Sequence, residues 1–270
     1  MTDVVQQPVH PARARMSLSQ SNLERIINIV SPLGLLLAWE LAARFGWIDV
    51  RFFPAPSKIF VTLMNLVESG ALWRHLSASM QRLFWGFIFG GVPALLLGIG
   101  MGLNRTLRAV FDPIVSATYP IPKSAILPLM LLIFGLGEAS KIVMVAVGIF
   151  YPILINTVAG VLEINKIYFD VSHNFGARGW QVFRTVAFPG ALPLIMTGVK
   201  LGVGMGLILI SLAEMVGAKS GLGYMMWNAW EILSVETMYV GLLVIAALGI
   251  VFTLILTEIE RLIVPWKIAR

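Results

Sequence analysis

Cysteine is missing from all 270 residues, which excludes disulfides and thiolate metal sites. Charge is scarce too. Asp, Glu, Lys and Arg make up 13% of the chain, about half the roughly 25% of a soluble domain. With 58% hydrophobic residues and a mean hydropathy of +0.85, the chain cannot cover its surface with polar groups in water, and its solvent is lipid. The three histidines, His10, His75 and His173, are scattered, and no His-Glu-x-x-His occurs, so metal chemistry is unsupported. A Gly-x-x-x-x-Gly-Lys-Ser/Thr loop is also missing, so the chain has no usual ATP site of its own. The net charge of +6 falls between the apolar runs instead of on one basic face. That speaks against a nucleic-acid partner and for orientation by the positive-inside bias.

What is there is a series of apolar runs, each long enough to cross about 30 Å of hydrocarbon. They fall at 26–45, 83–103, 113–136, 140–162, 192–215 and 239–259. The expectation is an all-α integral membrane protein of about six spans. The polar N-terminal stretch 1–25 carries Arg13, Arg15 and Arg25 and reads as a cytoplasmic tail ahead of a retained first helix. A cleaved leader would have a shorter apolar core. Arg105 and Arg108, then Lys166, Arg178 and Arg184, then Arg261, Lys267 and Arg270 share that side. Both ends are therefore expected in the cytoplasm, with 263–270 as the C-terminal tail.

The third run holds Pro113, Pro120, Pro122 and Pro128 together with Lys123, so its first half is expected to be irregular or kinked. Such backbone survives at membrane depth only when buried in protein or lining a cavity. Either a translocation role or a plain proline-kinked packing helix fits. Glycines recur inside the spans at Gly86, Gly90 and Gly91, at Gly98, Gly100 and Gly102, and at Gly198, Gly202, Gly204 and Gly206. Small residues at this spacing let helix backbones approach closely in lipid; a glycine-lined conduit is the alternative.

Two segments are not spans. Residues 46–79 are expected to form an outer loop with an amphipathic helix carrying Ile59, Leu63, Leu66 and Leu72. Residues 163–189 form a polar connection of about 25 residues, against the 2–8 usual between packed helices. Within it Trp180, Val182, Phe183 and Val186 recur at roughly helical spacing, flanked by Arg178 and Arg184. A short amphipathic helix of this kind seats in a partner's groove or lies on lipid headgroups. Gly176 suits the turn that aims it, and Pro189 suits the first turn of the next span.

Ionisable residues inside spans are costly, and each is a functional hypothesis. Lys200 lies about 11 residues after Pro189, roughly 16 Å along the helix, where it meets a passing anion or holds a helix contact. Lys123 and Tyr119 are candidates for the inner pathway. Glu214, near the outer end of the fifth span, is a candidate for pathway or structural pairing.

Asp170-Val-Ser-His-Asn-Phe-Gly176, followed nine residues later by Val186-Ala-Phe-Pro189, resembles the EAA loop of ABC importer permeases. Gly135-Leu-Gly-Glu-Ala-Ser-Lys141, Phe150-Tyr-Pro-Ile-Leu-Ile-Asn156, Pro189-Gly-Ala-Leu-Pro193, Thr197-Gly-Val-Lys200, Ala213-Glu-Met215 and Ser220-Gly-Leu-Gly223 follow the nitrate/taurine/alkanesulfonate group of these permeases in order. The resemblance begins at Phe53-Pro-Ala-Pro-Ser57. It implies a type I ABC importer permease fold, with residues 80–262 as the core domain of a homodimer in the bacterial inner membrane. It also implies two copies of a cytoplasmic P-loop ATPase, which bind the ATP and Mg, and an extracytoplasmic solute-binding protein. The coupling contact would then rest on Asp170, Gly176, Ala177, Arg178, Trp180, Phe183, Arg184 and Pro189.

The expected function is alternating access driven by the partner ATPase, with a small anion such as a sulfonate, taurine, nitrate or an organic acid as cargo. An ion-gradient transporter would need paired intramembrane carboxylates or broken helices in repeats, for which Glu214 is a single candidate. An intramembrane enzyme would need a nucleophile–base pair or a metal set, and none occurs.

Overall fold

The computed structural model of the protein describes residues 18–267, all helix and turn with no strand among them. The tail 1–17 and the end 268–270 lie outside the described residues, as do the side chains of Arg25 and Lys267. Arg13, Arg15, Arg25, Lys267 and Arg270 are therefore not seen. The chain divides into two units, Met1–Lys58 and Ile59–Arg270.

In the first unit, α1 (Leu18–Arg44) covers the expected first span and exposes Leu33, Leu35 and Leu37. Its Glu40 pairs with Arg44 at 2.6 Å and accepts hydrogen bonds from the Ser57 amide and hydroxyl at 3.0 and 2.8 Å. The carboxylate thus caps the start of α2 (Pro56–Glu68), where backbone donors have no helical partner.

The second unit is built on α3 (Ala71–Leu103), α6 (Glu138–Leu162) and α9 (Phe188–Met215). Around them lie α4 (Arg105–Thr118), α5 (Leu127–Phe134), α7 (Lys166–Asn174), α8 (Trp180–Val182), α10 (Leu222–Glu231) and α11 (Val235–Ile263). Leu83 and Met101 of α3, Val145 and Ile153 of α6, and Leu207 and Ile210 of α9 share one buried cluster. The glycines explain the approach. A Cβ on Gly90 would stand 2.2 Å from the Ala146 carbonyl oxygen, and Gly86, Gly98 and Gly102 face Val145, Thr157 and Val161. Both members of each pair rise together in number, so α3 and α6 run parallel. Gly198 against Ile153 and Gly202 against Ile149 set α9 antiparallel to α6. Of the two readings of these glycines, the close-packing one describes these positions.

Among the described residues four helices are long and apolar enough to cross a membrane, or up to five when α4 and the stretch Lys123–Phe134, bent by 86°, count as one broken span. Three boundaries differ from expectation. The expected loop 46–79 holds α2, but 71–79 is already the start of α3; polar Arg74, His75 and Ser79 hid that start from a hydropathy reading. The third run begins eight residues early as α4 and breaks at 119–122, where Pro120 and Pro122 supply no amide donors. The connection 163–189 is not one loop. Its second half, α8 and a π turn (Phe183–Ala187), continues into α9 as a single path Trp180–Met215 of 36 residues.

Candidate functional site

The 163–189 segment is built by two capped turns. The Asn165 side chain accepts from the Ile167 amide at 3.0 Å and starts α7. At the other end Gly176 takes φ 79°, the Gly176 amide bonds the His173 carbonyl and the Ala177 amide bonds that of Ser172, both at 2.9 Å. This is the glycine-terminated helix end that reverses chain direction. Gly179, at φ 49°, turns it again into α8. Trp180 then stacks on Phe183 at 4.7 Å between ring centres, and Phe183 meets Phe188 at 5.8 Å. Trp180 remains 70% exposed, and Arg178 and Arg184 stand exposed beside it. Asp170 is exposed on α7.

Gly176, Ala177, Arg178, Trp180, Phe183 and Arg184 are thus brought to one protruding turn, while Pro189 lies in the first turn of α9. Between α7 and the path from the π turn into α9 opens a groove of about 750 Å³, walled by Tyr168, Val171, Val186, Pro189, Pro193 and Trp266. The π turn is an irregularity of the type common at functional sites, and it joins the exposed segment to a span without a flexible break.

Of the four intramembrane candidates Lys123 and Tyr119 meet, while Lys200 and Glu214 lie apart. The Lys123 ammonium donates to the Thr118, Tyr119 and Ile121 carbonyls at 2.9–3.0 Å and sits 4.0 Å from the Tyr151 ring centre and 5.9 Å from that of Tyr119. Its three donors satisfy carbonyls that the proline break frees. Lys200 pairs with Glu260 of α11 at 2.6 Å, beside a cavity of about 400 Å³ between α9 and α11. Glu214, fourteen residues further along α9, is fully enclosed, with 0% exposed.

Around Glu214 lies the cluster that the sequence reading misses. Arg82 Nη1 meets Glu214 Oε1 at 2.7 Å, Ser79 Oγ donates to the same carboxylate at 2.8–2.9 Å, and the Gly223 amide adds a bond at 3.0 Å. Arg82 also holds Glu138 through two parallel bonds of 2.5 and 2.7 Å and donates to the Ser220 carbonyl at 2.7 Å. His75 Nδ1 accepts from the Gly221 amide at 3.2 Å. The signal was present as spacing: His75, Ser79, Arg82, Gly86 and Gly90 follow one helical stripe. A span beginning at Leu83 leaves His75, Ser79 and Arg82 outside it.

Comparison with known proteins decides what this frame is. Residues 94–268 match the family model of the binding-protein-dependent transport system inner membrane component. The chain belongs to this family of ABC importer permeases. It is 32% identical to the taurine transport system permease protein TauC of Escherichia coli K12, covering 98% of each chain. It is 35% identical to SsuC of the same organism, a permease named for aliphatic sulfonates, over 91% of this chain and 93% of that one. In fold it is similar to a chain of the MetNI methionine ABC transporter in an inward-facing conformation, with a TM-score of 0.56, 24% identity, 75% of this chain covered and 98% of that chain. The permease is a multi-pass membrane protein and a transport subunit of an importer.

Proposed function

We propose that this permease couples to two copies of a cytoplasmic P-loop ATPase through the turn 175–187, pairs with a second copy of itself, and receives its solute from an extracytoplasmic binding protein. The observation that carries the reading is exposed Trp180 stacked on half-buried Phe183 beside exposed Arg184, rigidly continuous with α9. An exposed apolar and basic protrusion suits a partner's groove, and an unbroken helix path transmits a push from it without loss in a hinge. The N-terminus and the coupling turn then lie in the cytoplasm, in accord with the basic residues Lys166, Arg178 and Arg184. ATP and Mg belong to the partner subunits.

The cargo is a small sulfonate, taurine-like, on the strength of the relatives' names. Lys200 meets it only if it leaves Glu260, and Lys123 only if it leaves its three carbonyls. Glu214 has no route to the cargo in this conformation and serves packing. The pathway lies on the dimer axis, lined by the broken α4–α5 span and by the exposed α9 face of Leu201, Met205 and Ile208.

Affinity purification in mild detergent tests the reading. A stoichiometric P-loop ATPase is expected with the parent chain and is expected to vanish with Phe183→Asp and Arg184→Asp together. A chain that purifies alone and transports on an ion gradient would defeat it.

A further inference from the structure

The broken span meets α6 at mid-membrane. Tyr151 falls near the middle of the 25-residue α6, about 20 Å from its start. Its ring lies 6.0 Å from that of Tyr119 at the break, tilted by 48°. The break itself, Tyr119-Pro-Ile-Pro122, is exposed throughout. Irregular backbone does not face lipid at this depth, where no water bonds its polar groups, so it lines a wet cavity or lies against protein. The polar side chains gathered here favour the wet cavity. A void of about 190 Å³, walled in part by Phe89 and Phe150, opens on the Tyr151 ring.

The Lys123 ammonium gathers the two rings around one centre, 4.0 Å from that of Tyr151 and 5.9 Å from that of Tyr119. Its three donors are spent on the Thr118, Tyr119 and Ile121 carbonyls. Among the described residues no carboxylate pairs with it. Carbonyl oxygens and ring faces meet its charge, and since neither carries a net charge the cluster as a whole stays positive. The two phenol hydroxyls make no hydrogen bond among the described residues. A cation over the ring draws electron density from the phenol and makes its O–H the stronger donor. Two such donors in a positive setting suit an oxyanion that must be met and then released, because passage needs attraction weak enough to let go.

We propose that Tyr119 and Tyr151 form a transit site for the sulfonate group of the cargo, their hydroxyls donating to its oxygens. Lys123 is the positioning residue that holds the two rings together. The site presupposes the importer reading and its sulfonate cargo. It lets an anion cross the midplane while Lys123 keeps its carbonyls, and an empty site strands no charge.

Tyr119→Phe with Tyr151→Phe removes both hydroxyls and keeps both rings. Parent and variant are purified with the ATPase, reconstituted in vesicles with the binding protein, and assayed for uptake of labelled taurine and ethanesulfonate. The maximal rate is expected to fall about tenfold, the order expected for lost hydrogen bonds to a charged group. Half-saturating taurine is expected to stay where the binding protein sets it; a loss confined to half-saturation would overturn the site. Each single variant, expected about threefold slower, decides the matter if the pair does not assemble. In a Lys123→Met background the Phe pair is expected to cost less than twofold, because the hydroxyls no longer act together. Losses that simply multiply would overturn the positioning role of Lys123. A Phe pair that assembles with its ATPase and imports as fast as the parent overturns the site and leaves the importer reading intact. A parent complex that imports neither sulfonate defeats the cargo reading, and the site falls with it.

Discussion

At the level of single residues, the intramembrane charges Arg82, Glu214, Lys123 and Lys200 are matched inside the protein and not displayed to a cargo. Arg82 is 3% exposed and Glu214 0%, so removing one strands the other. Arg82→Ala is expected to lower stability by about 3–5 kcal/mol, the loss typical of an uncompensated buried charge. Arg82→Met with Glu214→Met is expected to recover most of that loss, because the desolvation penalty leaves with the pair. Thermal unfolding of the detergent-solubilised chain measures both, and a double variant as unstable as the single would contradict the assignment. Lys200 follows the same logic. Lys200→Ala removes one partner of Glu260, whereas Lys200→Ala with Glu260→Ala removes both charges of the pair. Sulfonate uptake is expected to suffer in the first and to return in the second; equal loss in both would restore Lys200 as a cargo-binding cation. The sequence identified Lys200 as an expensive intramembrane charge, but Glu260 stands sixty residues away, and helical periodicity carries no information about a partner on another helix.

Among the elements, α3 and α6 depend on backbone proximity. In lipid no hydrophobic effect drives helices together, so van der Waals contact between close backbones must do so. Gly90→Val would set a branched side chain against the Ala146 carbonyl and is expected to cost about 3 kcal/mol by overpacking, read as a lower folded yield in size-exclusion chromatography. At the end of α10 the opposite change helps. Leu233 adopts φ 58°, with its amide bonded to the Trp230 carbonyl and the Ser234 amide to that of Ala229, a left-handed helix end ordinarily filled by glycine. Leu233→Gly is expected to raise stability by about 1 kcal/mol by relieving that conformation, visible as a higher melting temperature. Gly176 occupies the equivalent position after α7, where a glycine is present, and its place was legible from the motif alone. The continuity of Trp180–Met215 was not. Pro189 reads as a helix start, yet the π turn Phe183–Ala187 before it carries the helix through.

For the whole molecule, the exposed apolar faces require lipid or a second copy. Leu242, Leu243, Ile250, Leu254 and Ile255 of α11 stand exposed, as do Leu129, Leu132 and Ile133 of α5. Native mass spectrometry of the assembly is expected to give two permeases with two ATPases; a single permease per complex would contradict the dimer.

What the sequence determined by itself is the class. Scarce charge and repeated apolar runs demand a bilayer, no phosphate-binding loop is present to hold ATP, and the ordered motifs from Phe53 to Gly223 identify the permease family. These are properties of local composition and of short motifs, which need no knowledge of what lies across the bundle. What only the tertiary structure decided is which charges meet. Arg82 finds Glu138 and Glu214 from positions 56 and 132 residues away, and Leu136 reaches Gly217. Each depends on the parallel and antiparallel packing of α3, α6 and α9, and that packing follows from steric fit between distant segments, which periodicity along one helix does not encode.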